Sequence, residues 1–188
     1  MGQAVMTVPP DGTDADAGDA AAAPSPTPRS RDSAGRPLSQ RPRDITGAPL
    51  PPGTPTPWRE RLAVGDRETS LPPDDAIEEA QRLILGGAPF YAHEVLEGPW
   101  HLADPPDRDF WQGLAQLAVG LTHIQRGNAV GAATILRRAA DKLTAYPDAH
   151  FGVGVRRLQA AARRLADRAE RDGTASISAS ELELPLRD

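Results

Sequence analysis

Phe110-Trp111-Gln112-Gly113-Leu114-Ala115-Gln116-Leu117-Ala118-Val119-Gly120-Leu121-Thr122-His123-Ile124-Gln125 is the stretch that decides the fold. It contains no Asp, Glu, Lys or Arg over roughly four and a half helical turns. A helix on a protein surface rarely forgoes charge for so long, so this one is predicted to be enclosed on most sides. At about 100° per residue, Phe110, Leu114, Leu117, Ala118, Leu121 and Ile124 gather on one face. Gln112, Gln116 and His123 gather within about 40° of one another on the opposite face. Each buried polar group left unpaired costs roughly 1–3 kcal/mol, so that second stripe needs partners.

The preceding apolar segment offers them. Pro89 opens a helix that runs Phe90-Tyr91-Ala92-His93-Glu94-Val95-Leu96-Glu97, with Gly98-Pro99 expected to limit it. On an ideal helix His93, Glu97 and Trp100 fall within about 60°, with Glu94 beside them. Antiparallel packing of sequential helices would bring this stripe against Gln112, Gln116 and His123.

Outward from this pair, three more helices are predicted. One starts with Asp74 as N-cap, carries Ile77, Ala80, Leu83 and Ile84 as its stripe, and stops at Gly86-Gly87. Another follows the Gly127-Asn128 turn, with Ala132, Ile135, Leu136, Ala139, Leu143 and Tyr146 on one face until Pro147 ends it. The last carries Val155, Leu158, Ala162, Leu165 and Ala169. Five helices with short links and no paired strands give an all-α fold, a five-helix bundle over residues 74–172.

Residues 1–57 read as a disordered leader. Fourteen of the 20 prolines precede Asp74, and Trp58 is the only aromatic residue before Phe90. Such composition buries too little apolar surface to offset the entropy of ordering. Within it, Arg31-Asp32-Ser33-Ala34-Gly35-Arg36-Pro37-Leu38 recurs as Arg43-Asp44-Ile45-Thr46-Gly47-Ala48-Pro49-Leu50. A duplicated low-complexity tract is the favoured account. The alternative is a short linear motif that docks on a partner or on the domain itself. Residues 58–73 are expected as an extended linker and 173–188 as a short extended tail.

The absence of cysteine excludes disulfides and thiolate metal sites. A net charge of -5 argues against nucleic-acid binding driven by bulk charge, and the arginines of the last helix read as a solvated face. No stretch reaches the roughly 20 apolar residues of a membrane span, and no secretory pattern opens the chain. The expectation is a cytoplasmic protein that acts away from membranes, with homo-oligomerisation open.

Three accounts fit the polar residues. One is a satisfied hydrogen-bond network in which Glu94 or Glu97 fixes a histidine tautomer. A second is a ligand pocket with Trp100 or Trp111 as an apolar wall and His93, Glu94, Gln112 and His123 as orienting groups. A third is a metal site with His93, Glu97 and His123 as ligands, suited to Zn, Mn or Fe. His-Glu-x-x-Glu lacks the second histidine of the zinc-protease helix. His101 and His150 lie beside turn residues and are expected to be exposed.

The segment from Pro89 to about Leu143 resembles the bacterial domain-of-unknown-function family 309. The residues that carry the likeness are Tyr91-Ala92-His93-Glu94-Val95-Leu96-Glu97 with Trp100, Phe110-Trp111-Gln112-Gly113-Leu114, His123, Arg126-Gly127-Asn128 and Gly131-Ala132. Gly98-Pro99 departs from the family's pattern. The resemblance implies a small all-helical fold and no particular activity. The functional expectation is therefore a small helical module with a buried polar seam that binds a protein or a small ligand and needs no cofactor. The alternative is a metal- or carboxylate-dependent hydrolase using the His/Glu cluster.

Overall fold

The computed structural model describes residues 42–63 and 71–187. The first copy of the repeat and the rest of the leader's first 41 residues lie outside them. The described chain is all-α, with six helices: α1 (Pro57–Arg61), α2 (Pro73–Leu85), α3 (Pro89–Leu102), α4 (Pro105–Gln125), α5 (Ala129–Leu143) and α6 (Val155–Asp172). Among the described residues there is no strand, only the isolated antiparallel pairs Arg43 with Pro49 and His150 with Val153. No helix among them is long and apolar enough to cross a membrane.

α4 is the central helix, packed on α3 and α5, while α2 packs on α3 and α6 on α5. Its enclosure follows from its sequence: no residue from Phe110 to Gln125 is exposed. Two glycines let α5 come close. A Cβ at Gly113 would sit 2.9 Å from Leu143 Cγ, and one at Gly120 would sit 2.5 Å from both Leu136 Cδ2 and Cγ. Ala132, Ala133, Ala139 and Ala140 of α5 are buried as well. α6 turns Val155, Leu158, Ala162, Leu165, Ala166 and Ala169 inward and its arginines outward, except the partly buried Arg168, which bonds the tail at Ser176 and Glu181.

Several local expectations change. α2 begins at Pro73 and Asp74 does not cap it. Proline at the first helical position has no N–H to satisfy and its φ is preset, so the end needs less capping. Asp74 instead accepts from the Arg187 guanidinium. α3 runs through Gly98-Pro99 to Leu102. Pro99 is buried beside the equally buried Leu96, and its carbonyl accepts the Ala103 N–H at 2.8 Å. Packing thus holds the turn where proline removes one helical bond, and Trp100 keeps helical register with His93 and Glu97.

Residues 42–57, read as part of the leader, have a defined path here, and the short α1 adds a sixth helix to the expected five. Ile45, Trp58 and Leu62 pack against the bundle core. The tail 173–187 is not simply extended. It forms two short 3-10 turns, Thr174–Ser176 and Ala179–Leu182, and buries Ile177, Leu182 and Leu186. Apolar residues at those positions find room that the helices leave open.

Gly120→Ala should destabilise the domain by about 1–3 kcal/mol, because the new methyl overlaps a fully buried leucine. Chemical denaturation measures it. An unchanged midpoint would mean that the α4–α5 contact is loose.

Candidate functional site

The polar face of α3 is half open. His93 Nε2 lies 3.4 Å from Glu97 Oε1, one turn along, with side chains 23% and 40% exposed. Burial lowers the His93 pKa from its ordinary 6.5, and Glu97 opposes the shift. Glu94 is exposed by surface area, yet enough protein surrounds its carboxyl for desolvation to raise its pKa. Arg43 and Arg59 oppose that rise and Glu97 adds to it. Trp100 stacks on His101 at 5.1 Å between ring centroids, and His101 sits in the last turn of α3 rather than in a loop.

Gln112, Gln116, Val119 and His123 form the one part-exposed strip of α4 between Phe110 and Ile124. This strip does not join the α3 face: among the described residues, no hydrogen bond links His93, Glu94 or Glu97 to Gln112, Gln116 or His123. Gln116 Oε1 is buried without a partner. His123 turns elsewhere. Its Nδ1 lies 3.1 Å from Asn128 Nδ2, and Asn128 Oδ1 accepts the Gly131 N–H at 2.8 Å to cap α5. Taking Nδ1 as the acceptor makes the ring neutral, in keeping with a pKa lowered by burial and by Arg126. The three residues assigned as metal ligands are therefore not brought together, and among the described residues no group of three His, Asp or Glu side chains could hold an ion.

Trp111 was expected as an apolar wall of a ligand pocket. It is 2% exposed and packs on Phe110 and Phe151. His150 was expected to be exposed in a loop. It is partly covered there by Phe110, Tyr146 and Phe151, and its Nε2 lies 2.9 Å from Asp107 Oδ1. The loop residues Ala149 and Phe151 adopt positive φ, and two Arg187 nitrogens hold the Phe151 carbonyl.

The residues that sequence reasoning missed lie where the second repeat copy meets the bundle. Asp44 builds a compact turn: its Oδ1 accepts from the Thr46 N–H, the Thr46 hydroxyl and the Ala48 N–H at 2.7–2.9 Å. Burial works to raise the Asp44 pKa, but these bonds and Arg126 together lower it. Gly47 is buried at φ +82, and a Cβ there would lie 2.2 Å from the Phe90 ring. Phe90 is flanked by two guanidinium groups, Arg43 at 5.5 Å and Arg126 at 5.6 Å from its centroid. Arg126 also donates to the Thr46 carbonyl at 2.6 Å, and Arg43 to the Gly47 carbonyl at 2.7 Å. Behind them Trp58 packs on Tyr91 at 4.8 Å. The repeat was the available signal: Arg, Asp and Gly recur in it at fixed spacing.

Residues 77–135, from α2 into α5, match the family model described as Domain of unknown function (DUF309), which supports the resemblance read from the sequence. Neither the curated proteins nor the solved structures give a match.

Asn128→Ala should cost about 1 kcal/mol in denaturant unfolding, by removing the α5 cap; no change would mean that His123 or water replaces it. The histidines set a pH dependence. Both folded pKa values lie below the ordinary 6.5, so the folded chain binds protons less readily than the unfolded one. Their contribution to stability is full above about 6.5 and is lost as the pH falls through the folded values. Melting temperature should therefore fall faster on acidification for the natural chain than for a His93→Gln/His123→Gln variant, and parallel curves would show that neither ring is held neutral by the fold.

Proposed function

We propose that this DUF309 domain is a peptide-binding module whose recognition surface is the α3–α4 end on which Arg43–Leu50 is seated. The observation that carries this reading is the Phe90 ring, flanked by Arg43 of the tract and Arg126 of the bundle and pressed by the main chain of Gly47. Each contact selects something. The Gly47 approach admits no side chain, the Arg126 bond reads a main-chain carbonyl, and the cation–π contact takes an arginine rather than an apolar residue. Arg43 also places positive charge near Glu94, so an occupant with arginine at this position suits the acidic face of α3.

The patch is small, so its binding to a partner in trans belongs in the weak, transient class. The hydrolase alternative draws on Glu94 and the His93–Glu97 pair alone, with no third group gathered on them, whereas the docked tract is an occupant that the fold itself supplies. The partner class is thus a turn-forming peptide bearing Arg-Asp and a glycine three residues after the Asp.

The test uses the full chain with Gly35→Val and Gly47→Val, so that neither copy of the repeat is intact. A fluorescein-labelled peptide of the natural 42–50 sequence should raise anisotropy saturably with this chain. Adding Phe90→Ala should abolish the rise while the helical circular dichroism persists. A flat titration on the folded double variant would overturn the proposal.

A further inference from the structure

Beside the seat of the tract, the ends of α2 and α4 and the two 3-10 turns of the tail enclose a cavity of about 580 Å³. Ile84, Pro89, Ile124, Ile177 and Leu182 line it, and all five are buried residues. Gly87 and Gly127 line it too, each just past the end of a helix at positive φ, and a Cβ on either would meet nothing within 4 Å. Two helix ends therefore border the space without filling it. The tail wall is tied in place. Arg168 bonds both Glu181 and the Ser176 carbonyl, and Ser178 with Glu181 forms a capping box on the second 3-10 turn. The cavity is thus preformed, and its size falls in the roughly 300–1,000 Å³ range of small-molecule sites.

The polar side chains of the lining call for a donor. Gln125 Nε2 donates to the Gly87 carbonyl at 2.9 Å, which fixes the sense of the amide. Its Oε1 is left buried with no partner among the described residues, a costly arrangement for an acceptor. Because Oε1 is covered, only a molecule seated against Gln125 can bring it a donor. Glu183 is exposed and carries the only formal charge among the described lining residues, with no lysine, arginine or histidine beside it there. A carboxylate or phosphate entering the cavity would meet a like charge and no cation on the lining. We infer that this cavity binds a small primary amine, an apolar body with a protonated amino head. The body covers the isoleucine and leucine surface, while the head supplies the donor that Gln125 Oε1 lacks and the positive charge that suits Glu183. The site stands apart from the peptide-binding reading, since of the described lining residues only Thr46 belongs to the tract.

NMR titrations of the full-length chain test this, with tryptamine as the amine and indole-3-propionate as an anion of similar shape. Tryptamine up to about 10 mM should shift the Gly87 and Gly127 amides and the Gln125 side-chain amide saturably. Indole-3-propionate should bind at least about threefold more weakly, and Glu183→Gln should raise the tryptamine Kd about two- to fivefold. Gln125→Leu should raise it by about tenfold, through loss of a hydrogen bond to a charged donor. Absence of a saturable shift at these positions would overturn the inference. So would equal affinity for the anion, or a tryptamine Kd unchanged by Glu183→Gln or by a folded Gln125→Leu chain. Should Gln125→Leu lose its helical circular dichroism, the ligand pair and the surface variant Glu183→Gln still decide.

Discussion

The close approach of α5 to α4 across Gly113 and Gly120 is the constraint on which the rest of the bundle depends. Leu136 and Leu143 occupy the space that a Cβ at Gly120 or Gly113 would need, so the two helices approach closely at both glycines. A helix with no charge from Phe110 to Gln125 has nothing to present to water, so its other sides must be covered as well. α3 supplies that cover directly, and α2 and α6 pack behind α3 and α5.

Fixing α4 in this way fixes both of its ends. Near its start, Phe110 and Trp111 anchor an aromatic cluster with Tyr146, His150 and Phe151. Past its C-terminus, Arg126 reaches the first turn of α3 at Phe90, while Gly127 and Asn128 turn the chain into α5. The second end is the seat of the 43–50 tract. The tract meets there the Phe90 ring of α3 and the Arg126 guanidinium at the C-cap of α4, and its own Gly47 leaves no room for a side chain. Under the proposed peptide-binding reading, core packing behind Phe90 would lower the entropic cost of receiving a short peptide.

The polar residues of α3 and α4 divide rather than combine. His93 pairs with Glu97 on its own helix, and His123 supports the Asn128 cap of the next one. Gln116 keeps a buried acceptor unpaired, a local cost that the surrounding packing carries. Both histidines are held toward their neutral forms by desolvation, so each acts here as a hydrogen-bonding group more than as a charge.

By itself the sequence determined the helices and their inward stripes, because a 3.6-residue period and missing charge are local facts. It marked α4 as enclosed, and the family assignment followed from residues within single helices. It also held the repeat in plain view. Only the tertiary structure decided where the second copy of the repeat lies, since composition says that a Pro- and Gly-rich tract cannot make a core but not that it can lie on one. The same limit governed the polar stripes: helical phase places His93, Glu97, Gln116 and His123 on faces, yet their partners depend on how neighbouring helices rotate and end. Asn128 lay five residues from His123 in the chain, and the turn between α4 and α5 brought it there. Periodicity reads one helix at a time, and partners come from how helices meet.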